Sequence, residues 1–128
     1  MLAVDASVAV EACFGRFALE RLQELVAPPL LWSETRSAIH EAGWRRAVTR
    51  AEAEAAHARL GQLPIAARDH TELGVESWRI ADQLGWARTY DAEYVALASL
   101  FDCLLLTVDG RLRRGAARLG YVVGPLEL

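Results

Sequence analysis

Apolar and polar positions along this chain follow two different periods. Short continuous apolar runs occur at residues 1–4 (Met1-Leu2-Ala3-Val4), at Leu25-Val26-Ala27, from Leu63 to Ala66, at Cys103-Leu104-Leu105-Leu106-Thr107 and at Tyr121-Val122-Val123. Runs of that length bounded by turn residues predict buried strands. Between them lie stretches in which apolar residues recur every three or four positions, which predicts helices with one face inward. The expected helices are Val8 to Phe14, ended by Gly15; Phe17 to Leu25, with Phe17, Leu22 and Leu25 inward and Glu20, Arg21 and Glu24 outward; and Leu30 to Ala47, after Pro29. They continue with Arg50 to Leu60, Leu73 to Leu84, a helix opened by Asp91, and Arg111 to Leu119, stopped by Gly120. Thr49-Arg50-Ala51-Glu52 has the spacing of a capping box, and Tyr94 to Phe101 is apolar nearly all round apart from Ser99, as in a helix buried on most of its surface. Strands alternating with helices predict an α/β fold: βαβ units forming a central parallel sheet with helices on both faces.

Length and composition narrow this picture. The 128 residues suit one domain, 1–128, with a single core and no repeat or linker. The apolar fraction is 53%, yet no apolar run approaches the ~20 residues of a membrane helix, and no basic segment followed by a long apolar stretch marks a signal peptide. Cys13 and Cys103 fall in apolar patterns and read as small buried hydrophobes, so a cytoplasmic location is expected. Net charge is −3, and all fourteen basic residues are arginines. Setting four carboxylates aside as a metal cage leaves +1 on the rest, so the acidic total does not exclude a nucleic-acid partner. The arginines gather as Arg36, Arg45, Arg46 and Arg50, and as Arg111, Arg113, Arg114 and Arg118; each group suits either a solvated helix face or phosphate contact.

Four acids stand where a structural carboxylate is least expected. Asp5 and Asp109 follow buried strands, and ligands of open α/β sheets bind beyond the carboxyl ends of strands. Glu34 falls on the apolar stripe of Leu31, Ala38 and Ala42, where a carboxylate is costly unless it is paired with an arginine such as Arg36 or Arg88, or with a metal. Asp91 shares a helix face with Val95 and Ala98. Brought together, four such groups repel and raise one another's pKa values. A divalent cation relieves that conflict, and an all-oxygen donor set suits Mg²⁺ or Mn²⁺. Such an ion activates water for attack on a phosphodiester without a nucleophilic side chain. Ser7 and Thr107 stand two residues from Asp5 and Asp109 and are expected either to hydrogen-bond a ligand carboxylate or to serve local capping and strand structure. The scattered His40, His57 and His70 have no metal-ligand spacing. Trp32, Trp44, Trp78 and Trp86 are expected in the core or at a subunit contact. No glycine-rich phosphate loop or Walker lysine is present.

The stretches VDASVAV with Asp5, SETRSAI with Glu34, YDAEYVALA with Asp91 and LLLTVDGRL with Asp109 resemble the PIN-domain ribonucleases, and among these the small VapC-type toxins of toxin–antitoxin pairs. The resemblance spans essentially the whole chain. It implies a Mg²⁺- or Mn²⁺-dependent endoribonuclease with strand order 3-2-1-4-5, in which Asp5, Glu34, Asp91 and Asp109 are the catalytic and metal-binding acids. It also implies a homodimer and an antitoxin protein whose C-terminal segment covers the cleft. Structured RNA, often transfer RNA, is the implied substrate, with Arg111, Arg45 and Arg46 as candidates to contact it. The stretch between Glu34 and Asp91 carries no substrate signature and leaves the target open. The alternative is a PIN-like domain that binds RNA or metal without cutting. A receiver domain and a haloacid-dehalogenase-type phosphatase both need a lysine, which the chain lacks.

Overall fold

The computed structural model describes residues 1–128. Five parallel strands form one sheet: β1 (Leu2–Val4), β2 (Leu25–Ala27), β3 (Ile65–Ala67), β4 (Leu104–Leu106) and β5 (Val122–Val123), in the order 3-2-1-4-5. The expected α/β class, strand order and helices on both faces are all observed. The central strand β1 is buried at every position and pairs with β4 in the register Leu2–Leu104, Ala3–Leu105, Val4–Leu106. On its other side Leu2 meets Leu25 of β2. Both neighbours are parallel to β1, so all three strands end at the same edge of the sheet.

Six helices connect the strands: α1 (Ala6–Cys13), α2 (Leu30–Trp44), α3 (Arg50–Leu60), α4 (Leu73–Leu84), α5 (Tyr90–Leu100) and α6 (Gly110–Gly115). Helix α5 lies against β1 and β4 and packs on α4. It buries Ala92 and everything from Tyr94 to Ala98, and its alanines let it approach the sheet closely. Helices α1, α2 and α3 pack on one another around Cys13, Ile39, Ala56 and Leu60. Gly43 permits that contact, since a Cβ there would lie 3.0 Å from the Ala53 Cβ. Thr49 and Glu52 form the expected capping box at the start of α3. None of the helices is long and apolar enough to cross a membrane.

Several expected elements differ. No helix spans Phe17 to Leu25; residues 14–24 form turns and bends, beginning at Gly15 with φ +75°. The spacing of five between Phe17 and Leu22 leaves them off a common helical face, Leu25 is taken by β2, and so short a segment cannot hold a helix without a packed stripe. Helix α2 stops at Trp44, three residues before Ala47, because Arg46 adopts the left-handed region at φ 60°. The last helix breaks in two, α6 followed by a 3₁₀ turn at Ala117–Leu119. At the break Gly115 packs on the Trp86 indole, 3.3 Å from where a Cβ would stand. The third strand begins at Ile65 rather than Leu63. The tryptophans divide: Trp32 and Trp86 pack against the core, whereas Trp44 and Trp78 are 82% and 67% exposed. Both cysteines are free.

One core position is imperfect. The Thr35 hydroxyl is buried within α2 with no hydrogen-bond partner, which leaves its desolvation uncompensated. Thr35→Val keeps the shape and removes that group. It is expected to raise the unfolding free energy by about 1 kcal/mol, read as a higher urea midpoint at unchanged m-value; a lower midpoint contradicts the assignment.

Candidate active site

The edge where β1 and β4 end gathers the acids. Asp5 leaves β1 in an extended conformation and caps α1, its Oδ1 accepting from the Val8 N–H at 3.2 Å. Ser7 Oγ donates to the same oxygen at 2.6 Å, and Thr107 Oγ1, just beyond β4, donates to Oδ2 at 2.5 Å. Those two hydroxyls are themselves held in place. The Asp109 N–H donates to Thr107 Oγ1 at 3.0 Å and the Val108 N–H to Ser7 Oγ at 3.1 Å. Asp5, and not Ser7, is therefore the helix cap. Ser7 and Thr107 both orient its carboxylate.

Asp109 caps α6 in the same manner, with Oδ1 accepting from the backbone of Arg111 at 2.9 Å and of Leu112 at 3.4 Å. Asp91 lies in the first turn of α5, one residue after the helix begins, and Arg111 approaches its Oδ2 at 3.7 Å. Glu34, in the second turn of α2, takes a 2.5 Å hydrogen bond at Oε1 from the buried Tyr94 hydroxyl. The arginines considered for Glu34 do not pair with it. Arg36 donates instead to His57 Nε2, and Arg88 lines the same cleft without bonding to Glu34. The remaining oxygens of Asp109, Asp91 and Glu34 accept no hydrogen bond from the protein.

Electrostatics show how close these groups stand. Burial lifts the Asp5 carboxyl to about 6; its three hydrogen bonds oppose that rise, and the Asp109 charge adds least to it. Asp91 is raised by burial, lowered by Arg111 and raised again by Asp109. The Tyr94 phenol is pushed up by burial, then by its bond to Glu34, then by the charges of Glu34, Asp5 and Asp91. Desolvation therefore outweighs the mutual repulsion expected from the four acids. All four lie within electrostatic reach of one another's neighbours, yet nowhere do three or more His, Cys, Asp or Glu side chains stand close enough to hold a metal ion as they are.

The cleft beside the acids has a volume of about 630 Å³ and is walled by Glu34, Trp86, Arg88, Tyr90, Asp91 and Arg111, among others. Of the three arginines singled out for nucleic acid, Arg111 lines it. Arg45 and Arg46 lie past the far end of α2, eleven and twelve residues beyond Glu34, about 16 Å along a helix axis. Tyr94 was legible as core but not as a site residue. The available signal was a tyrosine hydroxyl that needs a partner when buried, three residues after Asp91 on the same helix face. Glu93 is a fifth acid here, raised by burial and then by Glu34.

A carboxyl raised on folding costs stability once it ionises, so Asp5 lowers the metal-free protein's stability as pH rises from about 4 to about 6, and this cost persists above that window. Asp5→Asn retains the capping oxygen without the charge. The variant is expected to gain on the order of 1–3 kcal/mol at neutral pH, or several degrees of melting temperature, with a flatter pH profile in chelator. A wild-type melting temperature that does not fall relative to that of Asp5→Asn across the window would falsify this account; the comparison is needed because Glu52, Glu76 and Glu127, held below the usual carboxylate range, add stability over the same rise in pH.

The comparisons with known proteins agree with the topology. The chain is similar over 98% of its length to the crystal structure of PAE2754 from Pyrobaculum aerophilum, with a TM-score of 0.75, 21% identity and 91% of that chain covered, a likeness of fold. No curated protein matches its sequence. The PIN domain profile matches residues 2–117, a span that contains Asp5, Glu34, Asp91 and Asp109, and the chain belongs to the PIN domain family.

Proposed function

We propose that this protein is a Mg²⁺- or Mn²⁺-dependent endoribonuclease, the toxin of a VapC-type toxin–antitoxin pair. The observation that carries the reading is Asp5: a carboxylate 4% exposed, with no cationic side chain against it, at a sheet edge shared with Asp109. Buried charge without a counter-charge is costly, and a hard divalent cation matches the all-oxygen donors on offer. Asp5, Asp91, Asp109 and Glu34 would hold it, although no three of them stand within reach of one ion in this structure. When bound, the ion supplies Lewis acidity toward the phosphodiester and lowers the pKa of the attacking water.

The chain's own residues do the positioning. Ser7 and Thr107 fix the plane of the Asp5 carboxylate, Tyr94 holds one oxygen of Glu34, and the α6 backbone holds one oxygen of Asp109. These three acids thereby present their carboxylates already oriented, at little entropic cost on binding. Arg111 and Arg88 offer cationic contacts to a phosphate entering the cleft. The toxin assignment draws on the resemblance of the four acidic segments. It carries with it a cytoplasmic site of action, a cognate antitoxin and a homodimer, to which the exposed Val75 and Trp78 on α4 are suited.

A second reading, binding of RNA or metal without cleavage, is favoured by the absence of a ready-made three-ligand cluster. Cleavage of a structured RNA, with transfer RNA among the substrates tested, separates the two. Wild-type protein with Mn²⁺ is expected to cut and to stop in chelator. Asp5→Asn and Asp91→Asn are expected to lose at least about 100-fold in rate with an unchanged circular dichroism spectrum, and Thr107→Val about 10-fold. Calorimetric Mn²⁺ binding without any cutting selects the second reading, and an Asp91→Asn variant as active as wild type removes Asp91 from the site.

A further inference from the structure

The cleft holds more than acids. Besides Glu34 and Asp91 it is bounded by Trp86, Arg88, Tyr90 and Arg111, and its volume of about 630 Å³ lies within the ~300–1,000 Å³ range of small-ligand sites. These residues differ in how far the fold itself uses them. Trp86 is a wall, because Gly115 packs against its indole. Tyr90 is not committed in this way. The residue is 54% exposed, and its hydroxyl makes no hydrogen bond with the protein.

The arginines show the same contrast. Arg16, Arg50, Arg68, Arg79 and Arg113 are each held by a glutamate. Arg88, like Arg21, Arg45, Arg46 and Arg114, has no acidic partner, and unlike them it lines the cleft. Arg111 stands 3.7 Å from Asp91, with 81% of its side chain in solvent. An exposed aromatic ring flanked by two weakly committed guanidinium groups is what a nucleotide recognises: a flat face for the base and cations for the phosphate.

From this placement we infer that Tyr90 is the stacking platform for one unpaired nucleotide of the RNA, whose flanking phosphates are held by Arg88 and Arg111. The inference rests on the proposed ribonuclease reading and adds to it the state of the substrate at the cut. A base inside a duplex has both faces covered and cannot lie on Tyr90, so the nucleotide beside the acids must be unstacked, as in a loop or a single strand. Tyr90 is then a specificity-determining residue. Arg88 and Arg111 are positioning residues that read the backbone and not the base.

The test uses two fluorescein-labelled strands of equal length and charge, both with hydrolysis-resistant phosphorothioate linkages. One is a uridine strand and the other has abasic spacers in place of bases. Binding to the full chain is measured by anisotropy with Mg²⁺ present, over a series of salt concentrations. Wild type is expected to prefer the uridine strand. Tyr90→Ala is expected to lose about 10-fold on the uridine strand and nothing on the abasic one, while Tyr90→Phe retains the preference. Arg88→Ala is expected to weaken both strands equally and to lower the salt slope by about 1, whereas Arg45→Ala, past the far end of α2, leaves both unchanged.

A wild-type preference that survives Tyr90→Ala overturns the inference, as does equal binding of the two strands or no binding of either. Cleavage of ordinary RNA by the same preparations reports on the ribonuclease reading separately. Loss of the uridine preference in a protein that never cuts sinks that reading and keeps the subsite. Cutting undiminished by Tyr90→Ala with the preference intact does the reverse.

Discussion

A carboxylate sealed into the end of a parallel sheet must have its oxygens answered, and at Asp5 that requirement joins two strands distant in sequence. Its partners come from α1, through Ser7 and Val8, and from the end of β4, through Thr107, 102 residues away. The β1–β4 register delivers Thr107 because Val4 pairs with Leu106, so both strands reach the same edge together. A slip of one residue would turn the Thr107 hydroxyl away and leave a buried, half-satisfied acid, at a cost of several kcal/mol. The same hydroxyl accepts from the Asp109 backbone, so the position of the second strand-end acid follows from the first.

The remaining acids are set by the same economy of partners. One oxygen of Asp109 caps α6 and one oxygen of Glu34 is held by Tyr94, while the second oxygen of each is left open. Helix α5 contributes twice: its first turns carry Asp91 and Tyr94, and its remaining length, through Val95, Ala96, Leu97 and Ala98, is core. The rigidity of the site is therefore the rigidity of the sheet and its most buried helix. This suits a constellation of like charges, which can persist without a counter-ion only where packing holds the groups in place.

Charge is distributed with the same division of labour. Away from the cleft, five arginines are tied to glutamates, as with Arg50 and Glu54 or Arg113 and Glu127. Such exposed pairs add little to stability. Beside the cleft Arg111 faces Asp91 at 3.7 Å and Arg88 has no acidic partner, and the net charge of −3 conceals this local juxtaposition of anions and cations.

The class of fold and the strand order implied by the family resemblance were legible in the residues, because apolar runs of three to five and stripes at helical spacing are local signals. Strand ends followed at once by aspartate needed no tertiary information to be noticed. What lay beyond the chain's local pattern was every relation between segments: that residues 14–24 make no helix because Leu25 is taken by a neighbouring strand, that α2 ends before Arg46, which turns into the left-handed region, and that Arg88 and Tyr90 line the cleft. Tyr94 looked like core by its neighbours and is core by its burial, yet its hydroxyl meets Glu34 sixty residues away. Periodicity records which face of an element is apolar; only packing decides what stands opposite a polar atom on that face, since hydrogen-bond partners are chosen by distance in space and not by spacing along the chain.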